Sequence, residues 1–207
     1  MQSLKAFTLA AHGAKMPAIG YGTMEFPDRP AELVAYAIEA GYRLIDTARK
    51  YGTEERVGEG IRASGVAREE LWVTTKVTEL DAREADFLRS AENSLKALQL
   101  DHVDLLLVHW PQPKVPFAET LGALAKAKRR GLTRHIGVST FTLAMIEEAV
   151  QVCPEPLIIW PRSRSANASP CRSTGAASTC STATDGALPA PNNYRMQTEG
   201  RGAHGIP

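Results

Sequence analysis

No run of 18 consecutive apolar residues occurs in the 207-residue chain, so no membrane-spanning helix is expected. The N-terminus, MQSLKAFTLAAHG, lacks the basic-then-apolar plan of a secretion signal. An excess of charge of either sign is missing too. The formal net charge is +1, which gives no footing for nucleic acid or an anionic membrane. Cysteine is scarce: Cys153, Cys171 and Cys180 are odd in number and fit no metal-ligand spacing. Unpaired thiols and a cytoplasmic location are therefore expected. No G-x-G-x-x-G follows a strand-like run, so the usual dinucleotide fingerprint is absent.

What is present is ordinary for a globular chain, with 43% apolar and 23% charged residues and enough length for one sizeable core. Short apolar runs recur at RLIDT (43–47), LWVTTKV (71–77), VDLLLVHW (103–110) and RHIGVST (134–140). LWV and LLLV are continuous enough for strands buried on both faces, as in a parallel sheet. The stretches between them have helical spacing. In PAELVAYAIEAG, Pro30 suits a first turn and Gly41 a stop. Phe87, Leu88, Ala91, Leu95 and Leu98 form one apolar stripe. ETLGALAKAKRRG gathers cations near its end, before Gly131. Ahead of these, FTLAAHGAKMP predicts a hairpin turning at His12-Gly13, followed by a first barrel strand, AIGYGT.

Asp46, Lys76, His109 and Ser139 each stand at or near the C-terminal end of a run, 30, 33 and 30 residues apart. A period of about 30 is one strand-helix unit. Alternating strands and helices predict a parallel α/β fold, either a barrel or an open doubly wound sheet. An open sheet concentrates its site at one switch point, whereas here every strand end contributes, so the barrel is favoured.

Taken singly, Asp46, Tyr51, Lys76 and His109 each have an ordinary explanation as a cap, a half-buried aromatic, a solvated strand end or a backbone-satisfied histidine. Barrel closure, however, would bring them side by side, and their chemistry is then coherent. A phenol with a reference pKa of about 10 is a weak acid near neutrality. A lysine ammonium beside it is expected to lower that value. Asp46 can hold Lys76 in place, and His109 can donate a hydrogen bond to a substrate oxygen. Such a site suits carbonyl reduction with hydride from a nicotinamide cofactor.

These stretches carry a resemblance. GYRLIDTARKYGTE, VTTKV, DLLLVHWP and GLTRHIGVSTF resemble, in order and spacing, the aldo-keto reductase superfamily, in particular its bacterial 2,5-diketo-D-gluconate reductase group. The resemblance covers residues 1 to about 157. It implies a (β/α)8 barrel, NADPH as cofactor and a small aldehyde, ketone or keto-sugar acid as substrate. It also implies Tyr51 as proton donor, Lys76 and Asp46 as its tuning pair, and His109 as the group orienting the carbonyl. Gly22, Thr23, Asp46, Ser139 and Thr140 would line the nicotinamide site, and Trp110 would wall the substrate pocket. A monomer is expected.

Two features depart from the family pattern. Thr140 stands where the family usually has Asn, and a hydroxyl cannot match the donor and acceptor set of an amide. From Pro161 onward, 29 of 47 residues are Ala, Ser, Thr, Gly or Pro, and Leu188 and Ile206 are the only Leu, Ile or Val. That composition predicts disorder. The expected organisation is thus a partial barrel at 1–159, of five to six βα units, and a low-complexity tail at 160–207. A shift of reading frame near residues 158–160 would account for the change. The competing functional reading is an inactive fragment or a non-catalytic binding protein of the same family. A nucleic-acid role for the tail is weak, since five arginines against Asp185 and Glu199 leave only about +3.

Overall fold

The protein's structure, a computed structural model, describes residues 8–25, 29–153 and 155–160. These lie within one compact unit, Met1–Arg164. The tail expected to be disordered lies outside the described residues except for Trp160, which belongs to the last strand.

The predicted hairpin is present: β1 (Thr8–Ala11) and β2 (Ala14–Pro17) pair antiparallel, with His12 and Gly13 both at positive φ in the turn. Six further strands follow: β3 (Gly20–Gly22), β4 (Leu44–Asp46), β5 (Trp72–Val77), β6 (Val103–Val108), β7 (Thr133–Ser139) and β8 (Leu157–Trp160). They form one sheet in the order β3-β4-β5-β6-β7-β8, and every pair is parallel. Helices α1 (Pro30–Glu39), α2 (Glu54–Ala63), α3 (Glu84–Leu98), α4 (Phe117–Arg129) and α5 (Leu143–Val152) fill the connections. Gly41 and Gly131 follow α1 and α4 at positive φ, as their stop positions require. The stripe from Phe87 to Leu98 is buried along its length.

Strand order and core composition separate a barrel from a doubly wound sheet. Each strand of this sheet neighbours the next in sequence, so the described residues contain no switch point. Side chains alternate between two cores. Ile45, Val73, Leu106, Val108, Ile136 and Val138 pack outward against Val34, Val57, Phe87, Leu98 and Leu124 of the helices. Leu44, Trp72, Leu105, Leu107 and Ile158 face the other way, joined by Ala14 and Met16 of the hairpin, with Trp160 packed against them. Among the described residues, no helix residue belongs to that inner cluster. Helices on one face and a small core on the other make an incomplete (β/α) barrel whose hairpin packs into its interior.

Among the described residues, β3 and β8 have one sheet neighbour each. Between them opens a cavity of about 640 Å³, reached by Met16, Gly22, Leu44, Asp46, Ile158 and Trp160. Ile159 on the outer face of β8 is 44% exposed, unlike its counterparts on the inner strands.

The two ends of the sheet differ. At the N-terminal end, the buried Asp104 accepts from Val73 N (2.9 Å), Arg68 Nη2 (2.6 Å) and Arg134 Nη1 (3.2 Å), tying three strands together. At the C-terminal end, backbone ladders continue past the strands: Thr23 N to Asp46 O (3.0 Å), Thr47 N to Thr74 O (2.9 Å) and His109 N to Val77 O (3.0 Å). Those bonds fix the backbone that carries the chemistry.

Glycine substitution tests the close approach of β7 and β8. A Cβ at Gly137 would stand 2.1 Å from Ile158 O, whereas one at Gly122 within α4 meets nothing within 4 Å. In urea denaturation, Gly137→Ala is expected to lose about 1–3 kcal/mol through overpacking. Gly122→Ala is expected to gain about 0.5–1 kcal/mol from reduced backbone entropy.

Candidate active site

Asp46 ends β4 on the same inner side as Leu44, because alternation places the two on one face. The chain then makes a short 3-10 turn at Arg49–Tyr51, closed by Gly52 at φ 67°. This turn carries Tyr51 over the mouth of the barrel. Lys76 lies on the inner face of β5 with its side chain 3% exposed, and His109 follows β6, also buried. Thus Asp46, Tyr51, Lys76 and His109, four residues drawn from three successive βα units, converge.

Lys76 Nζ is the hub. It donates to Asp46 Oδ1 at 2.5 Å, to Thr47 O at 2.9 Å and to Tyr51 Oη at 3.4 Å. Three donors meet three acceptors, so the ammonium is fully satisfied. The rings of Tyr51 and His109 meet edge to face at 5.6 Å. Trp110 stacks on His109 at 3.5 Å, and Lys50 Nζ lies 4.4 Å from the Trp110 ring while pairing with Glu79.

Burial governs the ionisation of the site. It pushes Asp46 up and Lys76 down, while their mutual attraction and hydrogen bond oppose both shifts. Tyr51 is pushed up to about 12, by burial first and by the Asp46 charge second. The sequence had suggested the reverse, a phenol acidified by Lys76. The physical reason for the difference is that the phenol is half-buried and faces the negative charge of Asp46. Burial, then Lys76 and Lys50, drive His109 down to about 3. At neutral pH, Tyr51 is therefore a protonated phenol and His109 a neutral imidazole. Nδ1 of His109 is buried without a partner.

The remaining residues of the sequence reading lie around this group. Gly22 ends β3 opposite Asp46, and a Cβ there would meet nothing within 4 Å. Thr23 is fully buried, and its hydroxyl donates to Asp46 O at 3.2 Å, so its side chain acts on the position of Asp46. Ser139 ends β7 and Thr140 follows it, their hydroxyls 3.2 Å apart. Thr140 adopts φ 63°, a left-handed conformation that strains a β-branched residue and that Asn tolerates better.

Sequence reasoning missed Thr47, whose carbonyl holds Lys76, and Glu54, a buried carboxylate at the start of α2. Thr75 Oγ1 donates to Glu54 Oε1 at 2.6 Å, and Arg49 Nη1 lies 3.6 Å from Oε2. An acid in the first turn of a helix is too common to single out. Its pairing with Thr75 is visible only in three dimensions.

The chain thus presents a lysine-held phenol beside an imidazole at the C-terminal strand ends of a one-sided β/α barrel. Residues 18–163 match the sequence model of the Aldo/keto reductase family, and the chain belongs to that family of oxidoreductases. It is 44% identical over 138 residues to methylglyoxal reductase DkgB of Salmonella typhi, covering 65% of this chain and 52% of that protein. A solved structure of a Bombyx mori aldo-keto reductase in complex with NADP matches with a TM-score of 0.70 and 35% identity, over 75% of this chain and 58% of that one. A structure assigned to 2,5-diketo-D-gluconic acid reductase B matches with a TM-score of 0.71 and 39% identity, over 74% of this chain and 56% of that one. The chain spans about half the length of the curated relatives it matches.

The depressed His109 gives a pH test. Its folded pKa lies below the unfolded value of 6.5, so the unfolded chain binds the extra proton. Its contribution to stability is complete above about pH 6.5 and is lost as pH falls toward about 3. Urea midpoints measured from pH 7 to 4 should fall less steeply in His109→Gln than in the unsubstituted chain. Independently, Thr140→Asn should raise the unfolding free energy by about 1 kcal/mol by relieving the positive φ.

Proposed function

We propose that this chain carries the catalytic half of an NADPH-dependent reductase that converts a small aldehyde, ketone or keto-sugar acid to its alcohol. The observation that carries the reading is the position of Lys76 Nζ, 2.5 Å from Asp46 and 3.4 Å from the Tyr51 hydroxyl. A structural salt bridge has no need of a phenol at its third donor, beside an imidazole held neutral.

The residues at the strand ends suit the nicotinamide end of the cofactor. Gly22 leaves open space beside Asp46, and the 640 Å³ cavity reaches both. Gly22, Ser139 and Thr140 would hold the ring, with Asp46 set by Thr23. When bound there, NADPH would supply the hydride that the carbonyl carbon needs. The NADP in the Bombyx mori relative supports this choice of cofactor.

The chain's own groups manage the oxygen. A carbonyl oxygen between Tyr51 and His109 receives one hydrogen bond from the neutral imidazole, which orients it and draws off charge. As that oxygen becomes an alkoxide, a far stronger base than a phenolate, Tyr51 gives up its proton. A phenol held at about 12 stays protonated until then. Lys76 stabilises the phenolate that remains, and Asp46 keeps the ammonium fixed and charged. Trp110, stacked on His109, closes one wall and excludes water. The same reading takes the chain as a cytoplasmic monomer. No helix among the described residues is long and apolar enough to cross a membrane.

Tyr51→Phe removes the proton and leaves the ring. With a reactive aldehyde and NADPH, turnover should fall about 100-fold or more, while quenching of tryptophan fluorescence by NADPH persists. No saturable quenching up to millimolar NADPH in the unsubstituted chain would contradict the reading.

A further inference from the structure

The Tyr51 phenol sits on a three-residue turn with no strand of its own, so other groups must hold it. The next segment supplies the anchor. Thr53 Oγ1 donates to Thr23 O at 3.3 Å and lies 3.4 Å from Thr47 Oγ1, which fastens the turn to the ends of β3 and β4. Glu54 reaches the other way. Its Oε1 accepts from Thr75 of β5, and its Oε2 faces Arg49, two residues before Tyr51.

Thr75 and Lys76 are consecutive on β5 and point to opposite faces. Glu54 therefore grips the outer side of the strand whose inner side carries the ammonium. Its neighbour Glu55 offers the contrast: it lies in the same first turn of α2 and is exposed. Glu55 can favour the helix dipole from solvent at little cost. Glu54, 3% exposed, bears a desolvation cost that a helix end does not require.

We propose that Glu54 is a positioning residue: its carboxylate clamps the Tyr51 turn to β5 and thereby sets the separation between the Tyr51 hydroxyl and the Lys76 ammonium. This rests on the reading of Tyr51 as proton donor, but its test does not depend on turnover.

The test uses the full 207-residue chain with fluorinated tyrosine, whose more acidic phenol brings the titration into a range the fold tolerates. Fluorine NMR follows each tyrosine, and Tyr51→Phe assigns the resonance. In Glu54→Ala the Tyr51 pKa should fall by about one unit or more, as the turn loosens and water reaches the phenol. Circular dichroism reports whether the fold is kept. Removing a negative charge would act in the same direction, so two further variants separate position from charge. Thr75→Val keeps the charge and removes the anchor, and should shift Tyr51 down as well. Glu54→Gln removes the charge and keeps the acceptor for Thr75, and should stay near the unsubstituted value. An unchanged Tyr51 titration in Thr75→Val overturns the proposal, and it decides alone if Glu54→Ala does not fold. A Glu54→Gln shift as large as that of Glu54→Ala also overturns it, because charge and not position would be the cause. A failed NADPH titration would count against the functional reading and leave this result standing.

Discussion

The arrangement depends on one buried contact, the ammonium of Lys76 against the carboxylate of Asp46. Lys76 is 3% exposed and Asp46 22%, so neither charge is well served by water. An isolated ion at such a depth would neutralise or force the structure open. The pair survives because its remaining valences are filled. Thr47 O and Tyr51 Oη take the other two protons of the ammonium, and Thr23 clamps the backbone of Asp46 from the adjacent strand. The same contact that satisfies the charges brings the phenol into range.

The site follows from register. Parallel pairing puts Asp46 opposite Thr74, and Lys76 two residues further along β5. Alternation then turns Leu44 and Asp46 inward, as it does Thr74 and Lys76. A slip of one residue would send both charges into the apolar layer beneath the helices. The tight approach of β7 to β8 at Gly137 and the three-strand tie at Asp104 hold the register at a distance from the chemistry. The open end of the sheet sets the other limit. With β3 and β8 each paired on one side only among the described residues, Asp46, Lys76 and His109 stand on a continuous stretch of sheet, whereas Gly22 and Asp46 also line the cavity between the two edges.

Much of this was legible in the sequence, for definable reasons. Continuous apolar runs mark strands buried on both faces, and the spacing of Asp46, Lys76, His109 and Ser139 marks equivalent strand ends. Stop glycines such as Gly41 and Gly131 mark helix ends. The hairpin at His12-Gly13 was equally plain. What escaped the sequence depends on contacts between distant residues. Glu54 is an unremarkable helix-start acid until Thr75 is seen beside it. Helix α2 carries Gly58 and Gly60 inside it, poor helix formers by propensity. They are required because a Cβ at either would stand within 2.4 Å of a carbonyl oxygen, of Leu98 or of Ala31. The direction of the Tyr51 shift was misjudged because charge was counted without burial. Lys76 lies within reach of the phenol, yet burial of the ring and the negative charge of Asp46 both favour the protonated form.

The central claim is that Asp46 and Lys76 act as one unit on which the site is built. A double-mutant cycle with Asp46→Asn, Lys76→Met and the two combined, followed by urea denaturation at pH 7, measures this directly. Each single substitution leaves a buried charge unpaired, so the two losses should exceed that of the double variant by about 2 kcal/mol or more. Losses that simply add would show that the two charges stand independently, and would contradict the account.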